Sequence, residues 1–138
     1  MIRRVTLAEE IMIKAKNKVG LLADIALVLS QHGVNIESAL GYEVGKTAVL
    51  TMVTNANLTM VGELRKKGYT SVKETEVLMV ELDNKPGALK VVTTEMKKAR
   101  IDIERLYVTS SSLGPSSRMV LKTSNNEAAM ALLSRYIQ

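Results

Sequence analysis

The sequence has no cysteine, no phenylalanine and no tryptophan, and its only histidine is His32. Without cysteine there are no disulfides, no thiolate metal sites and no thiol nucleophile. One histidine rules out histidine-rich metal centres, and any Ser-His-Asp arrangement would have to use His32. Aromatics are 3% of the 138 residues, all of them tyrosine, so the core must be aliphatic, with eight methionines to fill its gaps. Long apolar runs are also missing. The longest, Val19 to Leu29, contains Asp24 and is about half a bilayer span. The opening Met1–Glu10 has no apolar stretch of signal-peptide length. These absences point to a cytoplasmic protein with no membrane partner. At 46% hydrophobic and 24% charged residues the composition is that of a globular domain, and a net charge of +5 permits nucleic acid without arguing for it.

What is present is a repeat. Asn17-Lys18-Val19-Gly20-Leu21-Leu22 returns as Asn84-Lys85-Pro86-Gly87-Ala88-Leu89 at an offset of 67. At the same offset Met12 meets Met79, and Val34-Asn35-Ile36-Glu37 meets Ile101-Asp102-Ile103-Glu104. Allowing an insertion of three residues, Val49-Leu50 meets Met119-Val120 and Asn55 meets Asn125.

Each half reads as strand, helix, two strands, helix. In the first half the pattern predicts a strand over Ala8–Ala15 and a helix over Leu21–His32, stopped by Gly33. A hairpin of Val34–Val44 and Thr47–Val53 follows, turning at Gly45-Lys46. Next comes a helix capped by Asn55 or Asn57 and carrying Leu58, Val61 and Leu64, then a strand over Tyr69–Lys73. In the first helix Leu22, Ile25, Ala26 and Leu29 have core spacing, which leaves Leu21 and Val28 as a second, exposed apolar line. The second half predicts strands at Glu76–Leu82, Ile103–Thr109 and Arg118–Thr123, with helices at Ala88–Ala99 and Glu127–Tyr136. A flexible loop of Ser110-Ser111-Ser112, Gly114, Pro115 and Ser116-Ser117 joins its hairpin. Met12, Met79 and Met119 are expected in the core. Lys66-Lys67 and Lys97-Lys98-Arg100 read as solvated helix faces, and His32 as a helix-end residue. The fold class is α+β. It comprises two ferredoxin-like βαββαβ units packed side by side, with antiparallel sheets and helices on one face. The units run over 8–74 and 75–138. The second lacks its last strand, and Met1–Leu7, with apolar Ile2, Val5 and Leu7, is the spare segment that could supply it.

Ligand chemistry is expected at the turns before the first helices. Gly20 and Gly87 let a ligand approach the backbone. The helix that follows offers unpaired N–H groups to an anion such as a carboxylate. Asn17 and Asn84 supply an amide that both donates and accepts. Asn35 opens the second strand, away from the helix start in its own unit, so it would face Asn17 of a neighbouring unit across an interface.

The segments Lys16–Ile25 and Gly33–Ile36 resemble the ACT domain, a small ferredoxin-like module that binds amino acids and regulates metabolic enzymes. Lys67–Glu74 is similar to the family's final helix–strand junction, and Asp83-Asn84-Lys85-Pro86-Gly87-Ala88-Leu89 to its Asp-x-x-Pro-Gly-x-Leu loop. The resemblance implies a non-catalytic sensor. Its amino acid would sit at unit interfaces against Asn17, Val19, Gly20, Leu21, Leu22, Asn35 and Ile36, and against Asn84, Pro86, Gly87, Ala88, Leu89, Asp102 and Ile103. Serine-sensing members carry a histidine two residues before the loop asparagine. Here Ala15 and Leu82 stand there, which favours an aliphatic or aromatic ligand. No cofactor and no metal are implied. A homodimer is expected, with a separate enzyme of amino-acid metabolism as a further possible partner. Two other classes compete poorly. An RNA-binding sheet would stack bases on aromatic residues, where this chain offers Ile11, Ile13, Val49, Leu50 and Met119. An enzyme on this fold would need a positioned nucleophile, base or metal.

Overall fold

Neither glycine, proline nor asparagine interrupts residues 2–16, and there the chain forms one strand, β1 (Ile2–Lys16). The same holds for β4 (Ser71–Asp83). Each fuses two segments that the repeat pattern treats as separate, because nothing in either stretch disfavours extended backbone. The other elements are α1 (Leu21–Gln31), β2 (Ile36–Val44), β3 (Thr47–Thr54), α2 (Asn57–Lys66), α3 (Ala88–Lys98), β5 (Ile103–Ser110), β6 (Ser116–Thr123) and α4 (Asn126–Ser134). The computed structural model describes residues 1–110 and 113–137. Of the expected serine loop, Ser111 and Ser112 lie outside the described residues. Ser110, Ser116 and Ser117 belong to strands, since Ser110 pairs with Ser117 and Asp83 with Ser116.

Two compact units result. One is Glu9–Thr75. The other joins Met1–Ala8 to Glu76–Gln138. In the first, strands run in the order β2-β3-β1-β4; in the second, β1-β4-β6-β5. Each is thus an α+β, ferredoxin-like unit. In the Glu9–Thr75 unit, Ile11 and Ile13 of β1 and Leu50 and Met52 of β3 share one face. They pack there with Ile25 and Leu29 of α1 and Met60 and Leu64 of α2. In the other unit Leu78, Val80, Leu82, Met119 and Leu121 pack with Val92 and Met96 of α3 and Leu133 of α4. Ile2 and Val5 belong to that same core, and the Asp83 N–H donates to the Met1 carbonyl at 2.7 Å.

The strand register corrects the repeat. Ile13 pairs with Leu50, and Val80 with Met119. The offset is 67 on one strand and 69 on the other, so the insertion is two residues, and Leu50 is the counterpart of Met119. Asn57 then matches Asn126 and Asn55 matches Ser124. The side chains agree. Asn57 Oδ1 accepts from the Thr54 N–H and hydroxyl while its amide donates to the Glu9 carbonyl; Asn126 repeats this with Thr123 and Glu76. Neither Asn55 nor Asn57 caps α2, whereas Asn125 caps α4 by accepting from the Ala128 N–H.

Two faces also differ from expectation. In α1 the buried line is Leu21, Ile25, Val28 and Leu29, and the exposed one is Leu22 with Ala26. The helix is apolar on nearly every side, so periodicity alone does not orient it. In α2 Met60 is buried and Leu58 is exposed. Met12 and Met119 are buried as expected, and Met79 is half-buried.

Candidate functional site

Gly20 ends the β1–α1 loop with φ of 87°, a left-handed conformation that any side chain would strain, and a Cβ there would meet nothing within 4 Å. No side chain caps α1. Its first intrahelical bond runs from the Asp24 N–H to the Gly20 carbonyl. The amides of Leu22 and Ala23, in the first turn, therefore have no acceptor within the helix. Both residues line a cleft of about 520 Å³ between the start of α1 and the β2–β3 hairpin. Its floor is Leu21, Ile25, Ala48, Val49 and Leu50, and its rim carries Asn17, Lys18, Tyr42 and Glu43. An adjoining cleft of about 380 Å³ continues along the seam between α1 and β2 to Ile36 and Ala39. Gly41 lines both. It lacks the side chain that would otherwise fill the seam, and an added Cβ would lie 3.6 Å from Leu50 Cδ1.

The cleft pairs an apolar body with polar groups of opposite character at its mouth. The helix start favours an anion. The Glu43 carboxylate, which accepts a hydrogen bond from the Asn17 amide, favours a cation. Glu43, Tyr42 and Gly41 are not among the residues expected from the sequence, and Ile25 is expected there only as a core residue of the helix. The expected turn at Gly45-Lys46 already sets Glu43 opposite Ala48, and the structure adds the pairing of Ala48 with Ala15. That places Glu43 two strands across from the residue just before the loop.

Of the sequence-predicted residues, Asn17, Gly20, Leu21 and Leu22 meet at this cleft, and Ile36 lines its extension. Val19 is exposed and lines neither. Asn35 lies at the far end of β2, where its backbone N–H donates to Asn55 Oδ1. The seven residues of strand separating it from Glu43 span more than about 20 Å. One unit therefore does not bring Asn17 and Asn35 together.

In the other unit Asn84 donates to the Gly114 carbonyl through its side chain and to the Pro115 carbonyl through its backbone. Gly87 has φ of 90°, with the Met1 side chain against it. Ala88 is buried, Pro86 and Leu89 are exposed, and Ile103 is partly buried against the core. The Asp102 N–H donates to the Ser124 hydroxyl, the counterpart of the Asn35–Asn55 bond.

His32 ends α1. Its Nδ1 faces the Val28 carbonyl at 2.8 Å and its Nε2 the Glu63 carboxylate at 3.2 Å. The hydrogen bond from Lys66, then the charges of Lys66 and His32, hold the Glu63 carboxyl below its ordinary value. Among the described residues no group of three or more His, Cys, Asp or Glu is placed to hold a metal ion, and no helix is long and apolar enough to cross a membrane.

Residues 10–63 match the model of the ACT domain family. None of the curated proteins matches the chain. Among solved structures, a protein from Bacteroides thetaiotaomicron superposes with a TM-score of 0.87 at 21% identity, covering 95% of this chain and 89% of that one. The ligand-free regulatory subunit of aspartate kinase from Thermus thermophilus gives a TM-score of 0.70 at 10% identity, with all of both chains covered. The corresponding subunit from Thermus flavus gives 0.61 at 12% identity, covering 97% of each chain. At these identities the likeness is one of fold.

Proposed function

We propose that this chain, whose residues 10–63 match the model of the ACT domain family, is a tandem of ACT-type units that acts as a non-catalytic sensor of a small amino acid. The observation that carries the reading is the cleft at the start of α1. The ligand carboxylate lies at the unpaired Leu22 and Ala23 amides, and the ammonium at Glu43 and the Asn17 side-chain oxygen. The side chain points along the apolar seam floored by Ile25 and Leu50. That seam favours aliphatic or aromatic side chains over polar ones. A thermal-shift screen of the full chain against the twenty amino acids tests this. Ligand at a hundred times its dissociation constant adds about 2.7 kcal/mol, which raises the melting temperature by several degrees. A flat response to all twenty would overturn it.

The signal must pass to something else, and a second copy is the first choice. β2 is the outer strand of its unit, and Leu22, Ile36, Tyr42 and Val44 are exposed along that side. Two copies pairing antiparallel through β2 would set Asn17 of one beside Asn35 of the other. This is how the two asparagines, separate within one unit, come to share a ligand. In light scattering the chain should behave as a dimer, and Leu22→Asp, at an exposed position, should shift it toward monomer. A second reading makes the chain a regulatory subunit of a separate enzyme. The fold it shares with the regulatory subunit of aspartate kinase from Thermus thermophilus favours it. Ligand-dependent co-elution with an aspartate kinase catalytic chain would separate the two.

A further inference from the structure

The two units build the seam beside their first helix from the same positions but not from the same side chains. In the Glu9–Thr75 unit the seam runs between α1 and β2, and three of the residues lining it are small: Ala26, Ala39 and Gly41. The hydrogen-bonded register identifies their counterparts. Ala39 pairs with Met52 and Gly41 with Leu50 in one hairpin, as Leu106 pairs with Leu121 and Val108 with Met119 in the other. Both hairpins are irregular at the same step, between Ile36 and Ser38 and between Ile103 and Arg105. At the offset of 67, then, Ala26 becomes Thr93, Ala39 becomes Leu106 and Gly41 becomes Val108. Leu106 packs against the core that holds Met119 and Leu121. Val108, 42% exposed, stands where Gly41 leaves the first seam open. Each of the three is larger than its counterpart, and close-packed side chains leave little room beside them. The mouth of the seam changes as well. Glu43 pairs with Ala48 and Ser110 with Ser117, so a hydroxyl holds the place of the carboxylate. The turn is what the units keep in common, with φ of 87° at Gly20 and 90° at Gly87. The second unit thus retains a helix start that favours an anion but has lost the open seam and the carboxylate beside it.

We propose that Leu106, Val108 and Ser110 decide which unit takes a ligand. Leu106 and Val108 fill the second unit's seam, and Ser110 removes the charge that an ammonium needs. An amino acid therefore enters only at the Gly20 cleft, and exchanging these three residues for those of the first unit opens a second site. The part concerning the amino acid rests on the sensor reading above; the filling of the seam does not.

The test uses the full chain labelled with 13C at the methionine methyls. Met52 lines the open seam, and Met119, the counterpart of Leu50, reports on the filled one. Xenon enters open apolar sites. It should shift the Met52 methyl resonance of the native chain and leave that of Met119 in place. In the triple variant Leu106→Ala, Val108→Gly, Ser110→Glu it should shift both. In the reverse exchange, Ala39→Leu with Gly41→Val, it should shift neither. A Met119 methyl that moves with xenon in the native chain, or a Met52 methyl that moves as before in the reverse exchange, would overturn the filling. L-leucine, L-isoleucine, L-valine and L-phenylalanine are then titrated calorimetrically. For those that bind, the expected result is one site per native chain, two in the triple variant and none in the reverse exchange. Two sites in the native chain, or one in a triple variant that still melts cooperatively, would overturn the assignment to these residues. If the triple variant does not fold, the native chain and the reverse exchange decide. If none of the four amino acids binds the native chain, the sensor reading loses its support while xenon still decides whether the second seam is filled.

Discussion

Gly41 is the residue on which the cleft depends most simply. Its backbone is not in the left-handed region, and a side chain there would contact Leu50 at ordinary distance. Gly41→Val therefore keeps β2 intact, and strand propensity favours valine. Its branches would stand in the seam that the proposed pose gives to the ligand side chain. We expect the amino-acid thermal shift to vanish while the ligand-free melting temperature holds or rises. In the proposed pose Asn17→Ala removes a hydrogen bond to the ligand ammonium and Glu43→Gln removes the charge that faces it, changes worth about 1.5–3 kcal/mol each, so each should weaken binding at least tenfold in calorimetry. In the proposed dimer Asn35→Ala should weaken it as well, with little loss of stability because the Asn35 N–H bond to Asn55 is made by the backbone. Asp83 makes a different point. Arg3 first, by its hydrogen bond, holds that carboxyl below its ordinary value. A depressed carboxylate stabilises the fold above its unfolded-state pKa, near 4, and the contribution is lost as pH falls through the lower folded value. The gap in urea midpoint between the native chain and Arg3→Gln should therefore be constant above about pH 5 and close toward pH 2.

At the scale of elements, what was legible from the sequence is what has a short repeat distance. The βαββα order, the turn at Gly45-Lys46 and the loop glycines all follow from spacing. The face of α1 did not, because Leu21-Leu22 and Val28-Leu29 put apolar groups on adjacent lines. The second repeat holds the answer. Ala88, Val92 and Met96 are buried in α3, and at the offset of 67 they correspond to Leu21, Ile25 and Leu29. The insertion length was hidden for a similar reason. Valine, leucine and methionine interchange freely on a strand, and only hydrogen-bonded register tells one step from the next. Asn57 shows the limit at the site of a cap. It sits where a capping residue would, yet its carbonyl oxygen faces back to Thr54, tying the end of β3 to β1 through Glu9. Asn57→Ala and Asn126→Ala each leave donors without partners and should cost about 1–3 kcal/mol in denaturant unfolding, more than Asn55→Ala.

For the molecule as a whole, the order of the chain and the order of its units do not coincide. Residues 9–75 form one unit, while the other is assembled from residues on both sides of it. The bond from the Asp83 N–H to the Met1 carbonyl thus closes a loop of about eighty residues, an entropic cost that a contiguous unit avoids. We propose that this closing strand is what the second unit needs to be stable. Its remaining residues would otherwise leave β4 with an open edge, and with the Ile2 and Val5 places in the core empty. Ile2→Ala should cost about 2–5 kcal/mol, as a large-to-small change at a buried position does. A sharper comparison uses fragments. Residues 9–75 carry all four strands of their unit and should fold alone, if marginally at that size, with a cooperative melt by circular dichroism. Residues 76–138 should not. They are expected to show helix without a sharp melt, or to aggregate, and a peptide of residues 1–8 added in excess should restore protection of the Leu78–Leu82 amides from hydrogen exchange. If 76–138 melts cooperatively without the peptide, and deletion of residues 1–7 from the full chain leaves the Arg118–Thr123 amides as protected as before, the N-terminal residues are an accessory to the unit rather than its last strand.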